Sequence, residues 1–227
     1  MRHSITTVLF DLDDTLVDSF SARLAALQLV FSDVGIHSPT AKEFLCNQDG
    51  SAINQSLSQL ETDRGMAQGL FEKFRQAYWL RERGIISLYP GIKAVVQELY
   101  RRGVKLGVIT QKRRAFELEG HQAGALKELQ QLGIAGLFSV TVGFEDVTFH
   151  KPHPEPVYLA LDNLKSRPRE TIFVGNSAAD VGAATAAKCW SCLATWGIGE
   201  TGDHHSGLGA DLVARTPEEL LGLVLGF

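Results

Sequence analysis

Two carboxylates stand two residues apart near the start of the chain: Asp11 and Asp13, in the segment Val8-Leu9-Phe10-Asp11-Leu12-Asp13-Asp14-Thr15-Leu16-Val17-Asp18. The residues before them are apolar, so the pair falls at the end of what reads as a buried strand. In an extended chain residues i and i+2 project to the same side, which aims both carboxylates at one place. Like charges held that close raise one of the two pKa values. A protein tolerates this where a cation lies between them or where one group must keep a proton. Both conditions describe phosphoryl transfer. The alternative is a plain strand-to-loop turn, in which Asp accepts hydrogen bonds from nearby backbone amides.

The elements that must position such a pair follow from the hydrophobic pattern. Apolar, β-branched runs recur at 7–10, 104–109, 138–142, 171–174 and 190–195. Helical spacing lies between them: Ile92, Val95, Val96 and Leu99 after the turn Pro90-Gly91, then Leu126, Leu129 and Leu132. Thr216, Pro217 and Glu219 carry the start signal of a last helix. Strands that alternate with helices predict an α/β fold, a Rossmann-like parallel sheet with helices on both faces. The stretch before Pro90 shows no comparable strand. Phe20, Leu24, Leu27 and Phe31, a capping box from Thr40 to Glu43, then Leu70, Phe74 and Tyr78 predict an all-helical insertion over 19–83. The core would then comprise 1–18 and 84–227.

Sheets of this kind bind ligands beyond the carboxyl ends of their strands. Four segments lie there: Asp11 and Asp13; Thr110-Gln111; His150-Lys151-Pro152-His153-Pro154-Glu155-Pro156; and Gly175-Asn176-Ser177-Ala178-Ala179-Asp180. In order and approximate spacing they resemble the four signature motifs of the haloacid dehalogenase (HAD) superfamily of phosphohydrolases. Asp11, Asp13 and Thr15 match its opening Asp-x-Asp-x-Thr. The following Leu16-Val17-Asp18-Ser19 resembles the phosphoglycolate phosphatase-like branch, which carries a helical cap where the insertion falls here.

The resemblance implies a magnesium-dependent phosphatase of a small phosphorylated metabolite, phosphoglycolate-like in that branch. Asp11 would attack phosphorus and form an aspartyl phosphate, and Asp13 would be general acid and base, with a pKa held above that of Asp11. Thr110 and the backbone amide of Gln111 would hydrogen-bond the phosphoryl oxygens, and Lys151 would supply fixed positive charge. Asp11, the main-chain carbonyl of Asp13, Asn176 and Asp180 would hold Mg2+. Asn176 departs from the family's common Gly-Asp-x-x-x-Asp, removing one negative charge. Ser177 and Asp180 also form a helix-capping pattern that needs no metal. The cap is expected to move about linkers near 17–20 and 84–90. A sugar phosphomutase using the same intermediate, and a non-catalytic phosphate-binding regulator, are the competing readings.

The formal charge of −4 and pI near 6.0 exclude general attraction to nucleic acid or anionic membrane. The run Lys112-Arg113-Arg114 reads as a solvated helix start, and Arg23 and Lys42 as surface helix charges that could reach a substrate carboxylate. The opening residues are too short in apolar character for a signal peptide and no stretch has membrane-spanning length, which predicts a cytoplasmic protein, a monomer or weak homodimer. Cys189 and Cys192 read as buried free thiols facing opposite ways at a strand start. His150, His153, His204 and His205 read as loop residues rather than ligands.

Overall fold

Side by side, the apolar runs pair into one six-stranded sheet in the computed structural model, which describes residues 4–47, 52–66, 69–81, 86–197 and 209–227. In chain order the elements are β1 (Thr7–Phe10), β2 (Val17–Asp18), α1 (Phe20–Asp33), α2 (Ala41–Cys46), α3 (Ile53–Arg64), α4 (Leu70–Gln76) with a π-helical turn at Ala77–Arg81, β3 (Ser87–Leu88), α5 (Ile92–Arg101) and β4 (Lys105–Ile109). Then follow β5 (Phe116–Leu118), β6 (His121–Ala123), α6 (Ala125–Gln131), β7 (Val140–Val142), α7 (Glu155–Leu164), β8 (Thr171–Gly175), α8 (Ala178–Ala186), β9 (Trp190–Ala194), β10 (Leu212–Ala214) and α9 (Pro217–Leu225).

The sheet order is β10-β9-β8-β1-β4-β7 and every pairing in it is parallel. The chain starts in the middle, winds outward through β4 and β7, then returns to the other side of β1 with β8, β9 and β10. The winding direction therefore reverses at β1, and a crevice opens beyond its carboxyl end.

Successive strand residues serve opposite faces. Val8 and Phe10 pack with Ile172, Val174, Leu106 and Val108 under α5, α6 and α9, while Leu9, Phe173 and Ile109 pack under α7 and α8. The same alternation separates the cysteines: Cys192 belongs to the first layer and Cys189 to the second, and both are free and buried. At the last helix Thr216 Oγ1 accepts from the Glu219 amide at 3.1 Å, as the start signal predicts.

The four helices α1 to α4 lie between β2 and β3, which pair antiparallel with Val17 opposite Leu88 and Asp18 opposite Ser87. The chain thus leaves and re-enters through two adjacent strands. The helices bury Leu27, Phe31, Leu57, Phe74, Tyr78 and Trp79 in a cluster that also takes Leu118 and Ala123 from the β5–β6 hairpin. The capping box at Thr40 forms, with its amide 2.7 Å from Glu43 Oε2.

Several elements depart from the sequence reading. The chain after Lys112-Arg113-Arg114 enters the β5–β6 hairpin and not a helix. Helix α6 turns Ala125, Glu128 and Leu129 inward, leaving Leu126 and Leu132 half-buried, so the buried face is rotated toward a carboxylate. The three-residue β10 and the two-residue β2 and β3 are too short to show a period. Residues 82–85, which span the expected end of the insertion and the start of the second linker, and His204 and His205 lie outside the described residues.

Burial pushes both the Cys189 and Cys192 thiols up to about 12, which suppresses the nucleophilic thiolate. Iodoacetamide on the native protein at pH 8 is expected to label half-buried Cys46 first, with Cys189 and Cys192 modified only after unfolding. Peptide mass spectrometry showing all three labelled at one rate would contradict this packing.

Candidate active site

The crevice beyond β1 gathers residues that follow four neighbouring strands, β8, β1, β4 and β7. Asp11 continues β1: its amide donates to Val174 O at 2.8 Å, so the backbone is still held by the ladder where the side chain enters the crevice. Lys151, on the loop after β7, reaches in with its side chain 4% exposed. Its Nζ lies 2.6 Å from Asp11 Oδ1, 2.6 Å from Asp180 Oδ1 and 3.5 Å from Ile109 O. One ammonium thus bridges two buried carboxylates. The two anions hold Lys151 protonated well beyond the usual lysine range, against the opposing effect of burial.

Asp180 has two tasks. Oδ1 binds Lys151, while Oδ2 accepts from the Ser177 amide at 3.0 Å and from the Ser177 hydroxyl at the start of α8. Gly175 lies so close that a β-carbon there would collide with the Asp180 carboxylate. Asp180, expected among the metal ligands, has its oxygens on Lys151 and on the helix start. Asn176 Oδ1 accepts from Thr15 Oγ1 at 3.1 Å, which places it beside the segment that carries Asp11 and Asp13.

Asp13 faces a different cluster. Lys112 Nζ is 2.9 Å from Asp13 Oδ1, 2.8 and 2.9 Å from the two Glu128 oxygens, and 3.1 Å from Tyr78 Oη. Tyr78 in turn donates to Glu128 Oε1 at 2.7 Å, and Ser19 Oγ donates to Asp13 Oδ1. Glu128 is fully buried on α6 and Tyr78 belongs to the π-helical turn, so this cluster joins the core to the helical insertion.

The two aspartates are driven apart in acidity, but in the order opposite to the expected one. Burial, reinforced by the Asp180 and Asp13 charges and opposed by Lys151, raises Asp11 to about 7. Burial also works against ionised Asp13, yet Lys112, Arg23 and the Ser19 hydrogen bond outweigh it and lower Asp13 to about 2. The expected order, with Asp13 holding its proton more tightly than Asp11, rests on the general acid and base role of Asp13. The cations that the fold adds on the Asp13 side reverse it.

The remaining expected residues are placed as follows. Thr110 is buried, its Oγ1 accepts from the Lys112 amide at 3.1 Å, and its hydroxyl proton can serve a further acceptor. Gln111 lines the cleft next to it. His150 stacks on Phe144 at 3.9 Å and exposed His153 accepts from the Glu155 amide, so both act as loop residues. Arg23 is not a surface charge: it pairs with buried Asp14, whose backbone turns through φ 60°. Lys42 is exposed on α2. The sequence reading places Lys112 in a solvated basic run, Tyr78 on a helical face, Ser19 in a motif flank and Arg23 at the surface, and it assigns neither Glu128 nor Asp14 a part in the site. The available signal was a glutamate at the buried i+3 position of α6.

Asp11, the Asp13 carbonyl and Asn176 could offer oxygen donors to magnesium, and the Thr15 hydrogen bond ties Asn176 to the segment that carries the two aspartates. No group of three His, Cys, Asp or Glu side chains among the described residues is arranged to hold a metal ion, which leaves that donor set reliant on the carbonyl and the amide.

A family model described as haloacid dehalogenase-like hydrolase matches residues 8–194. A phosphoglycolate phosphatase of Yersinia pseudotuberculosis serotype I is 34% identical over 201 residues, 86% of this chain and 82% of that protein. The pyrophosphatase PpaX of Oceanobacillus iheyensis is 27% identical over 198 residues, 87% of each chain. A crystal structure of a haloacid dehalogenase-like hydrolase from Bacteroides fragilis aligns with a TM-score of 0.77 at 30% identity, covering 96% of this chain and 100% of that one. Among the described residues no helix is long and apolar enough to cross a membrane.

Truncating one member of a buried charge cluster leaves its partner uncompensated. Glu128→Gln is therefore expected to destabilise the protein by roughly 3 kcal/mol in urea unfolding. Tyr78→Phe, which removes one neutral hydroxyl, should cost about 1 kcal/mol. Equal and negligible losses in both would show that Lys112 is not held as described.

Proposed function

The chain belongs to the haloacid dehalogenase-like hydrolases and is a phosphatase, and on that footing we propose that it hydrolyses a small phosphorylated metabolite through an aspartyl phosphate on Asp11. The observation that carries this reading is Lys151 between Asp11 and Asp180, a buried cation fixed against the one carboxylate that continues β1 into the crevice. Such a cation would offset the charge that accumulates on the transferred phosphoryl group.

In the first step an Asp11 oxygen attacks phosphorus and the bond to the leaving oxygen breaks. Asp13 supplies the proton that the leaving oxygen takes up. In the second step Asp13 takes a proton from water, the water oxygen attacks the aspartyl phosphate, and phosphate leaves with Asp11 regenerated. Thr110 Oγ1 and the Gln111 amide would donate to the phosphoryl oxygens. Asp180 would act as a positioning residue for Lys151.

The contact of Lys112 with Asp13 sets a condition on the acid step: Lys112 must release the carboxyl group. Lys112 has Glu128 and Tyr78 as alternative partners, so the ammonium stays solvated by protein when Asp13 takes up a proton and turns to the substrate. Because Tyr78 sits in the helical insertion, movement of that segment over the crevice would couple substrate enclosure to this exchange. We take residues 19–83 as such a cap. Asp11, the Asp13 carbonyl and Asn176 would hold magnesium, which when bound favours the ionised form of Asp11 and offsets phosphoryl charge.

Asp11→Asn should reduce phosphate release to background in protein verified free of deamidation. Asp13→Asn should lower kcat by roughly 10²–10⁴-fold with a poor leaving group. Near-wild-type turnover in either would remove the assigned role. Asn176→Asp restores an anionic oxygen and should reduce the magnesium concentration for half-maximal activity. An unshifted titration would take Asn176 out of the metal site.

A further inference from the structure

Between the helical insertion and the loops after β4 and β7 lies a cleft of about 350 Å³. Its lining includes four aromatic side chains, Phe71, Trp79, Phe116 and Phe144. We infer that the alcohol portion of the substrate carries a flat aromatic or heteroaromatic ring that binds in this cleft, an inference that rests on the phosphatase reading for the chemistry at the phosphorus end.

The rings are fixed before any ligand arrives. Phe116 meets Trp79 edge to face, with centroids 5.6 Å apart and planes at 86°, and the Arg75 guanidinium lies 4.5 Å over the Phe116 ring. Phe144 is stacked on His150 at 3.9 Å, one residue before Lys151. A ring entering this space gains offset or edge contacts with pre-positioned aromatic faces. An acyclic two- or three-carbon acid would leave most of that apolar wall facing water.

A polar feature specifies the ring further. Arg75 Nε is buried and has no hydrogen-bond partner among the described residues, although Nη1 binds Glu72 at 2.6 Å. Arg75 lines the cleft, so its guanidinium can donate to a ring nitrogen or a ring-bound oxygen. The cleft reaches the reaction centre through Lys112. Gln111 and Lys112, which follow Thr110, line it, and Lys112 Nζ is 2.9 Å from Asp13. A ring in the cleft therefore meets Lys112, the contact partner of the group proposed to protonate the leaving oxygen.

Binding and turnover test this separately. Benzylphosphonate and propylphosphonate share an uncleavable phosphorus end and differ in the ring. By isothermal titration with magnesium present, benzylphosphonate should bind about tenfold more tightly, the value of one favourable aromatic contact. Phe116→Leu should erase most of that preference. In turnover, kcat/KM for pyridoxal 5′-phosphate should exceed that for 2-phosphoglycolate by at least about tenfold on the same grounds. Equal affinity for the two phosphonates, binding of neither, or a preference untouched by Phe116→Leu overturns the ring pocket. A clear benzyl preference with no turnover of any ester would support the ring pocket and overturn the phosphatase reading instead.

Discussion

One ammonium group organises the crevice. Lys151 Nζ touches Asp11 at the end of β1, Asp180 on the first turn of α8 and the carbonyl that ends β4. Without it, two carboxylates would be buried side by side with no counter-charge, an arrangement a protein avoids by protonating one of them or by unfolding locally. Other features follow from that contact. Gly175 has no side chain because the Asp180 carboxylate occupies the space, and Ser177 fixes the second Asp180 oxygen so that the first can face Lys151. The parallel order of the sheet supplies the rest, since β1 lies between β4 and β8 and brings their carboxyl ends to one place.

A second cation produces the opposite electrostatics only two residues along. Lys112, shared by Asp13, Glu128 and Tyr78, joins Arg23 and Ser19 in holding Asp13 below the usual carboxylate range, while burial raises Asp11 above it. The difference comes from the number of cations each carboxylate meets: Asp11 shares Lys151 with Asp180, whereas Asp13 is also within reach of Arg23. It ties the protonation of Asp13 to a residue of the helical insertion. The cleft lined by aromatic rings includes Lys112, so the elements that would recognise the alcohol portion and those that would govern its protonation meet at that residue.

Much of the architecture was legible in the chain because its strands are buried on both faces and read as continuous apolar runs. The helices α1, α2, α5 and α9 announced themselves by spacing or by caps at Thr40 and Thr216. The failures have local causes. Helix α3 carries few apolar residues and presents Leu57, Leu60 and Glu61 inward, so its period was weak. The β5–β6 hairpin follows three basic residues and carries charge along its length, which masks the strand pattern.

Sequence by itself determined which residues could carry chemistry: a carboxylate pair at a strand end, a threonine and a lysine at other strand ends, and a loop opening a helix, in an order that specifies the sheet. Those features are local, set by side-chain type and by a period of two or 3.6 residues. Only the tertiary structure decided their acidity and their partners. Whether Asp13 or Asp11 is the stronger acid depends on Lys112, Arg23 and Lys151. They come from loops and a helix up to 140 residues away from the groups they contact, and their effect scales with distance and burial that no local pattern records.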